Sequence, residues 1–295
     1  MRGETKLGAG YTDVNSAGRL SQPLLLLRLM VRCWFETGTG EHVQGWEAVV
    51  PILRVDERPL RMTCIGTGFF IHTGGILVTA AHVVRDVIGE DGNPTTSLMA
   101  LQYLHPNQFI SRFIIKACVH TVEDVAVLGV QTLSHKDTGA PLRNKVLIPT
   151  TRLPKEGDLV STWAFPKSTS EYVGNRGQVS ISAKLYDGAV RKEYSSGRDR
   201  VLLPGRCYET SLGIEGGASG GPVFDEHGHV FAVNSTGIDG TDIGYVSHIQ
   251  GVGGLSLANV MTSDGQLHEC ITIHSLIEHG DIPVEHVNRK SPQRP

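Results

Sequence analysis

The apolar residues of this chain come in short runs, and the runs are separated by Gly, Pro, Asp and Asn. Strands this short and this regularly punctuated are typical of β-sandwiches and β-barrels. The first series of runs lies at 24–35, 46–54, 65–71, 75–79, 110–119 and 125–130, and the second at 158–165, 177–186, 206–211, 222–225, 229–235 and 243–249. A connection with Pro and charged residues near 135–157 separates the two series. We therefore predict an all-β fold of two six-stranded antiparallel β-barrels.

The same pattern leaves little room for helices. Residues 80–86 predict a single turn, and the spacing of Ile271, Leu276 and Ile277 predicts a short C-terminal helix packed on a barrel. The chain is expected to consist of a flexible leader, an N-terminal barrel, a C-terminal barrel, the C-terminal helix and a disordered tail, at 1–21, 22–145, 146–262, 263–282 and 283–295. The leader and the tail are polar and lack the periodicity of packed elements.

Composition argues against several classes of protein. The formal net charge of −3 and the lack of a stripe of Lys and Arg argue against nucleic-acid binding. No stretch approaches the roughly 20 apolar residues that span a membrane, and the N-terminus lacks the apolar segment of a signal peptide. The five cysteines form no CxxC pair, which argues against a zinc ribbon and favours buried, reduced thiols. These cysteines are Cys33, Cys64, Cys118, Cys207 and Cys270. We expect a cytoplasmic protein that binds neither membrane nor nucleic acid.

Three local patterns supply the parts that acyl transfer needs, namely a nucleophile, a base, a carboxylate that orients the base, and donors for the oxyanion. In the first pattern, two strands joined by a Gly-rich turn lead to Thr-Ala-Ala-His, which would place His82 at the end of a rigid strand. In the second pattern, Asp124 opens an apolar strand. A lone His after a strand is usually only packed, but the whole run of the first pattern is much more specific than that. The second pattern alone is weak, since Asp is common in turns.

The third pattern is a glycine-rich loop, Gly-Gly-Ala-Ser-Gly-Gly-Pro-Val, at 216–223. Glycine tolerates positive φ, so this loop can turn successive N–H groups toward one point. We expect the N–H groups of Gly217 and Ser219 to form an oxyanion hole. A phosphate-binding loop would need Lys and then Ser or Thr after its last Gly, followed by a helix, whereas Pro222 here leads into a strand.

In the order His, Asp, Ser, these segments resemble the chymotrypsin/trypsin clan of serine peptidases over roughly residues 60–250. The lack of the cysteines of exported peptidases brings the chain closer to bacterial trypsin-like and Deg/Htr-type peptidases, without their PDZ module. The resemblance implies Ser219 as nucleophile, His82 as general base and acid, and Asp124 as the carboxylate that orients His82. No metal and no organic cofactor is expected, because such a triad supplies the chemistry by itself.

The resemblance also implies where a substrate binds. Ser235, Thr236 and Gly237 match the segment that pairs with an extended peptide by β-augmentation. Gly213 matches the floor of the primary specificity pocket. We therefore expect an uncharged, medium or large side chain at the residue before the cleaved bond (P1), with Gly237 and Gly244 leaving the pocket open.

An alternative for specificity remains, since Glu215, Asp239 or Asp242 could reach the pocket and select Arg or Lys. Activation also departs from the clan. Ala218 occupies the position of the Asp that pairs with a new N-terminal amine in zymogen-forming relatives. The enzyme is therefore expected to be competent as made or gated by a protein partner.

Two functions from different classes fit these patterns. The leading hypothesis is an active endopeptidase that acts on proteins or peptides, and the alternative is a catalytically idle barrel that holds extended peptides as a binding or scaffolding module. An α/β-hydrolase esterase would have its His last in the chain, whereas His82 comes first here.

Overall fold

The computed structural model describes residues 34–36, 42–57, 60–104, 108–135, 137–173 and 176–285. Near the start of the described chain, β1 (Trp34–Glu36) pairs antiparallel with β2 (His42–Gln44), and the short helix α1 (Gly45–Ala48) follows. The leader predicted at 1–21 lies outside the described residues.

Six antiparallel strands close into the first barrel. They are β3 (Val49–Glu57), β4 (Leu60–His72), β5 (Ile76–Thr79), β6 (Ser97–Leu104), β7 (Gln108–Val119) and β8 (Ala126–Val130), in the spatial order β3-β4-β5-β8-β7-β6. The helix α2 (Ala81–Val84) follows β5, where a single turn was predicted. Thr79 at the end of β5 pairs with Ala126 at the start of β8, so residues just after β5 and just before β8 meet at one rim.

A second six-stranded barrel follows the connection. Its strands are β9 (Leu159–Ala164), β12 (Lys184–Tyr194), β13 (Cys207–Thr210), β14 (Pro222–Phe224), β15 (Val230–Gly237) and β16 (Gly244–His248), and its order is β12-β13-β16-β15-β14-β9. Between β9 and β12, a hairpin of β10 (Thr169–Val173) and β11 (Arg176–Ser180) packs against β4 of the first barrel. The predicted all-β double barrel is thus confirmed.

The core of the first barrel continues into the contact between the barrels. Trp163 and Phe165 of the second barrel belong to the same apolar cluster as Phe69 and Phe70 of β4. Trp163 is fully buried, and its ring meets the rings of Phe165 and Trp46 edge to face. Buried, closely packed apolar side chains therefore form part of the contact between the barrels.

Two strand predictions need correction. The sequence predicts a strand of the first barrel at 24–35, of which 24–33 lie outside the described residues, but the barrel closes through β6, at 97–104, as its sixth strand. This segment, Ser-Leu-Met-Ala-Leu-Gln-Tyr-Leu, is rich in residues that favour helices, and pairing with β3 and β7 overrides that preference. The run 177–186 spans the end of β11 and the start of β12 rather than one strand.

The described C-terminal part combines a hairpin with one short helix. β17 (Ser256–Met261) pairs with β18 (Leu267–Thr272), and α3 (Ile273–Glu278) begins where the Thr272 hydroxyl accepts the N–H of Ser275. The helix predicted over 263–282 was therefore too long, because 267–272 pair with β17 as a strand. None of the helices in the described ranges has both the length and the apolar character to cross a bilayer.

The predicted tail is also partly wrong. The N–H of Glu285 donates to the carbonyl of Pro149, so the described start of the segment 283–295 is held against the connection between β8 and β9, which itself bridges to β15 at Val230. Residues 286–295 lie outside the described residues. The predicted boundary between residues 145 and 146 falls in the connection between β8 and β9 and stays a prediction.

Candidate active site

His82 and Asp124 meet at the rim of the first barrel where β5 ends and β8 begins. His82 lies on α2, directly after β5, and Asp124 lies two residues before β8. The Asp124 carboxylate accepts the backbone N–H of His82 through Oδ1 at 2.9 Å and contacts His82 Nδ1 through Oδ2 at 2.8 Å. These two contacts fix the position and the orientation of the imidazole.

The two partners differ in exposure. The side chain of Asp124 is 7% exposed, whereas that of His82 is 45% exposed. Burial acts to raise the pKa of Asp124, but the hydrogen bonds and the charge of His82 prevail and hold it below its ordinary value. Asp124 is therefore an anion at neutral pH. It occupies Nδ1 and leaves Nε2 of His82 for proton exchange.

Ser219 reaches this rim from the second barrel, in the loop before β14. Its carbonyl accepts the N–H of Thr67 at 2.8 Å, which ties the loop to β4. A Cβ added at Gly66 would lie 3.0 Å from the carbonyl oxygen of Ser219 and 2.7 Å from a methyl group of Val83. Gly66 therefore lets the Ser219 loop approach the residue that follows His82.

Ser235 connects the nucleophile candidate to the carboxylate. The hydroxyl of Ser219 donates to the carbonyl oxygen of Ser235 at 2.9 Å, and the side chain of Ser235 hydrogen-bonds Asp124. Ser235 lies at a register shift of β15, between Asn234 and Thr236, which removes its carbonyl from the ladder. In the described part of the chain, no hydrogen bond joins His82 to Ser219, so the link from nucleophile to base in the predicted triad is not made in this structure.

Peptide geometry orients the N–H of Gly217. The carbonyl of Gly216 accepts the N–H of Lys167 at 3.0 Å, and in a trans peptide the N–H of Gly217 points to the opposite side. The carbonyl of Gly217 accepts the hydroxyl of Thr67 at 3.0 Å. Gly217 has a φ of 91°, which a residue with a side chain rarely adopts.

The N–H of Ser219 is oriented in the same way. The carbonyl of Ala218 accepts the N–H of Gly221 at 3.1 Å and the side-chain amide of Asn234 at 3.3 Å. Within the described ranges, the N–H groups of Gly217 and Ser219 have no acceptor, so both remain available to an oxyanion.

The predicted specificity segment is more closed than expected. A Cβ on Gly244 would meet the side chain of Ile214 at 2.8 Å, and a Cβ on Gly237 would meet the carbonyl of Ile214. Ile214 is 5% exposed and fills this space. At Gly213, the nearest atom to an added Cβ is the carbonyl of Thr241, at 3.3 Å. Contrary to our expectation, Gly237 and Gly244 do not leave an open pocket.

Two of the three acidic alternatives for specificity are engaged elsewhere, and Asp239 stays a candidate. Glu215 pairs with Lys167 and Lys184, and Asp242 pairs with Arg191 at 2.5 Å on the surface. Both carboxylates already have cationic partners, which disfavours selection of Arg or Lys by either.

Within the described residues, no group of three or more His, Cys, Asp or Glu is arranged to hold a metal ion. The four described cysteines, Cys64, Cys118, Cys207 and Cys270, are free thiols; only Cys207 is buried, whereas Cys64 and Cys118 are partly buried and Cys270 is exposed. Cys33 lies outside the described residues.

Sequence reasoning missed the residues that hold the loop. Thr67 donates to Gly217 and accepts from the N–H of Phe165 at 3.1 Å. Asn234 is fully buried, and its amide donates to Thr162 and to the loop. Their signal is polarity inside otherwise apolar strands, because a buried polar group needs a partner.

A closed double barrel with a His–Asp pair on one barrel and a glycine-flanked Ser on the other defines the class of trypsin-like serine peptidases. The family described as the trypsin-like peptidase domain matches residues 66–233, and the chain belongs to this family. Among solved structures, the active form of the Rv3671c protease from M. tuberculosis is 20% identical, with a TM-score of 0.48 over 70% of this chain and 78% of that chain. An inactive form of the same protease is 21% identical, with a TM-score of 0.43 over 69% and 84% of the two chains. No curated protein sequence matches the chain.

Proposed function

We propose that the protein is a serine endopeptidase that hydrolyses peptide bonds of protein substrates through an acyl-enzyme on Ser219. The observation that carries this proposal is the double contact between His82 and Asp124, at the rim that also receives the Ser219 loop. Family membership supports a peptidase, and the assignment of the three residues is our proposal.

In the first half of the reaction, Nε2 of His82 takes the proton of Ser219 as Oγ attacks the peptide carbonyl carbon. Asp124 keeps Nδ1 protonated and stabilises the imidazolium. The N–H groups of Gly217 and Ser219 bind the oxyanion, and each donor of this kind lowers the barrier by about 2.7–4 kcal/mol. His82 then protonates the leaving amine, and a water molecule activated by His82 hydrolyses the ester.

The resting hydrogen bond of Ser219 must change before this reaction begins. Its hydroxyl has to leave the carbonyl of Ser235 and turn to Nε2 of His82. The exposed face of His82 and the close approach at Gly66 support such a turn, since both groups lie at one rim.

The substrate would bind as an extended strand beside Ser235, Thr236 and Gly237 at the end of β15, with Gly213 near its P1 side chain. We place the protein in the cytoplasm on the basis of its free thiols, which suit a reducing compartment. Activation by a protein partner fits the resting Ser219 hydrogen bond.

The experiment is covalent labelling with a fluorophosphonate, combined with digestion of an unfolded protein such as casein. Native protein should label and digest, Ser219→Ala should do neither, and Ser263→Ala, a change at an exposed serine, should behave as native. Native protein that is folded but neither labels nor digests would favour the idle peptide-binding module. Labelling that occurs only after addition of cell lysate would indicate a gating partner.

A further inference from the structure

The loop that carries Ser219 begins with a carboxylate held by three groups. Oε1 of Glu215 lies 2.5 Å from Nζ of Lys167, and Oε2 lies 3.2 Å from Nζ of Lys184. The hydroxyl of Tyr186 donates to Oε2 at 3.0 Å. The hydrogen bond from Lys167, together with Lys184 and Tyr186, lowers the pKa of Glu215 to about 2, so this carboxylate is charged at any working pH.

These partners lie on a rigid frame. Lys184 and Tyr186 are on β12, where they pair with Ala164 and Thr162 of β9. Tyr186 is buried, and Nζ of Lys184 also lies 4.4 Å from its ring centre. The carboxylate is therefore fastened to β12, a strand that pairs with β9 in the second barrel and cannot move without disturbing that barrel.

Lys167 holds the loop in two ways. Its side chain pairs with Glu215, and its backbone N–H donates to the carbonyl of Gly216 at 3.0 Å. Lys167 has a φ of 51°, which is uncommon for a residue other than glycine. A backbone conformation of this kind persists only where the surrounding contacts hold it in place. The bond to Gly216 fixes the peptide unit that carries the N–H of Gly217 and leaves that N–H on the side opposite Lys167.

Glu215 is also the first residue of the turn that forms the candidate oxyanion hole. Its carbonyl accepts the N–H of Ala218 at 3.0 Å, which closes the turn around Gly217. A shift of Glu215 would therefore displace the turn 215–218. The peptide units that present the N–H groups of Gly217 and Ser219 would move with it. Exposed ion pairs add little to stability, so the main effect of these contacts is on loop orientation.

We propose that Glu215 is a positioning residue, which through Lys167, Lys184 and Tyr186 holds the turn 215–218 in the conformation that presents the oxyanion donors. Ala218 has no carboxylate for an ion pair with a new N-terminus, and Glu215 supplies an anchor from within the folded barrel instead. This inference rests on the proposed function for its catalytic consequence, but the anchoring itself can be measured without activity.

The first test is hydrogen exchange of single amides by NMR in Ser219→Ala protein, with and without Glu215→Gln. Removing the charge should speed exchange of the amides of Lys167 and Ala218 by about tenfold or more, while core amides of β5 and β8 keep their rates. Glu226→Gln, which removes an exposed ion pair with Arg152, is the matched control and should leave the loop amides unchanged. Unchanged exchange at Lys167 and Ala218 in the Glu215 variant would overturn the anchor.

The second test is kinetic and uses the otherwise native chain. Glu215→Gln should lower kcat and the affinity for a peptide boronic acid by a similar factor, about 10-fold to 100-fold, with KM nearly unchanged, because the donors act on the transition state. Lys184→Met added to Glu215→Gln should cost little more, since both remove the same contact. An increase in KM alone would overturn the positioning role. An inactive native protein whose loop exchange still responds to Glu215→Gln would reject the proposed function and retain the anchor.

Discussion

The hydroxyl of Ser219 donates a 2.9 Å hydrogen bond to the carbonyl oxygen of Ser235. That carbonyl lies at the register shift of β15, beside the edge where an extended peptide would add as a strand. A bound peptide would offer its own N–H to the same acceptor. Substrate binding and release of the Ser219 hydroxyl toward His82 are therefore expected to be coupled.

This coupling predicts that the backbone N–H of the P1 residue matters for acylation. N-methylation of that amide should slow acylation by about tenfold or more, because the competing donor is lost. N-methylation of the adjacent residue should matter less, since successive amides of a strand point to opposite sides. Acylation rates of matched peptide esters test this prediction, and equal effects of the two methyl groups would contradict it.

Asp124→Asn should lower kcat on the order of 10⁴-fold while leaving the fold intact. The carboxylate of Asp124 accepts from the backbone N–H and from Nδ1 of His82 at the same time. The side-chain amide of Asn has only one acceptor oxygen, so it cannot keep both contacts and hold Nδ1 protonated. Peptide hydrolysis measured against Glu123→Gln, a change at the neighbouring carboxylate, checks this expectation. A loss no larger than that of Glu123→Gln would argue against the assigned role.

Gly220→Ala should destabilise the protein by about 3 kcal/mol, whereas Gly216→Ala should change stability little. Gly220 has a φ of 87°, and an added Cβ would meet the carbonyl of Thr67 and the hydroxyl of Thr79. Nothing lies within 4 Å of a Cβ built on Gly216. Thermal unfolding of both variants provides the measurement, and similar Tm values would show that the loop does not press against β4 and β5.

The packing of Ile214 against Gly244 predicts a shallow primary pocket. Native enzyme should prefer small uncharged P1 residues such as Ala, and Ile214→Ala should raise kcat/KM for Leu or Phe at P1 by about 10-fold to 100-fold relative to Ala. A library of peptides that differ only at P1 tests this. An unchanged ranking in the variant would remove Ile214 from the pocket.

Stability should fall as the pH drops below about 6.5, the unperturbed value of histidine. Burial, aided by the positive charge of Arg206, lowers the pKa of His248 to about 4. Between about pH 6.5 and pH 4, this histidine is therefore protonated in the unfolded chain and neutral in the folded chain. The free energy of unfolding falls by on the order of 2 kcal/mol by pH 5. Urea unfolding at pH 7.5 and pH 5 measures the loss.

His248→Asn is the informative variant for this pH effect. An asparagine oxygen can accept the N–H of Gln250, as Nδ1 of His248 does at 3.1 Å, but it does not titrate. The variant should flatten the pH profile. An equally steep profile would assign the loss to other groups, such as the buried His72, whose pKa burial also lowers.

The double barrel was predictable because strand periodicity and turn residues are local signals, and the candidate site because three short motifs lie in a fixed order. The strand β6 was not predictable, because Leu98, Met99 and Ala100 are residue types that favour helices. Only their pairing with β3 and β7, which lie elsewhere in the sequence, makes them a strand. The closed pocket was not predictable either. It depends on how Ile214 meets Gly244, two residues from different strands and loops, and such long-range packing leaves no local pattern.

The His–Asp pair and the Ser loop belong to different barrels, and the first barrel precedes the second along the chain. The strands of the first barrel span residues 49–130, so synthesis completes them, together with His82 and Asp124, before any strand of the second barrel. Ser219 and its N–H donors arrive only with the later barrel. The candidate catalytic site therefore cannot assemble from the residues of the first barrel alone.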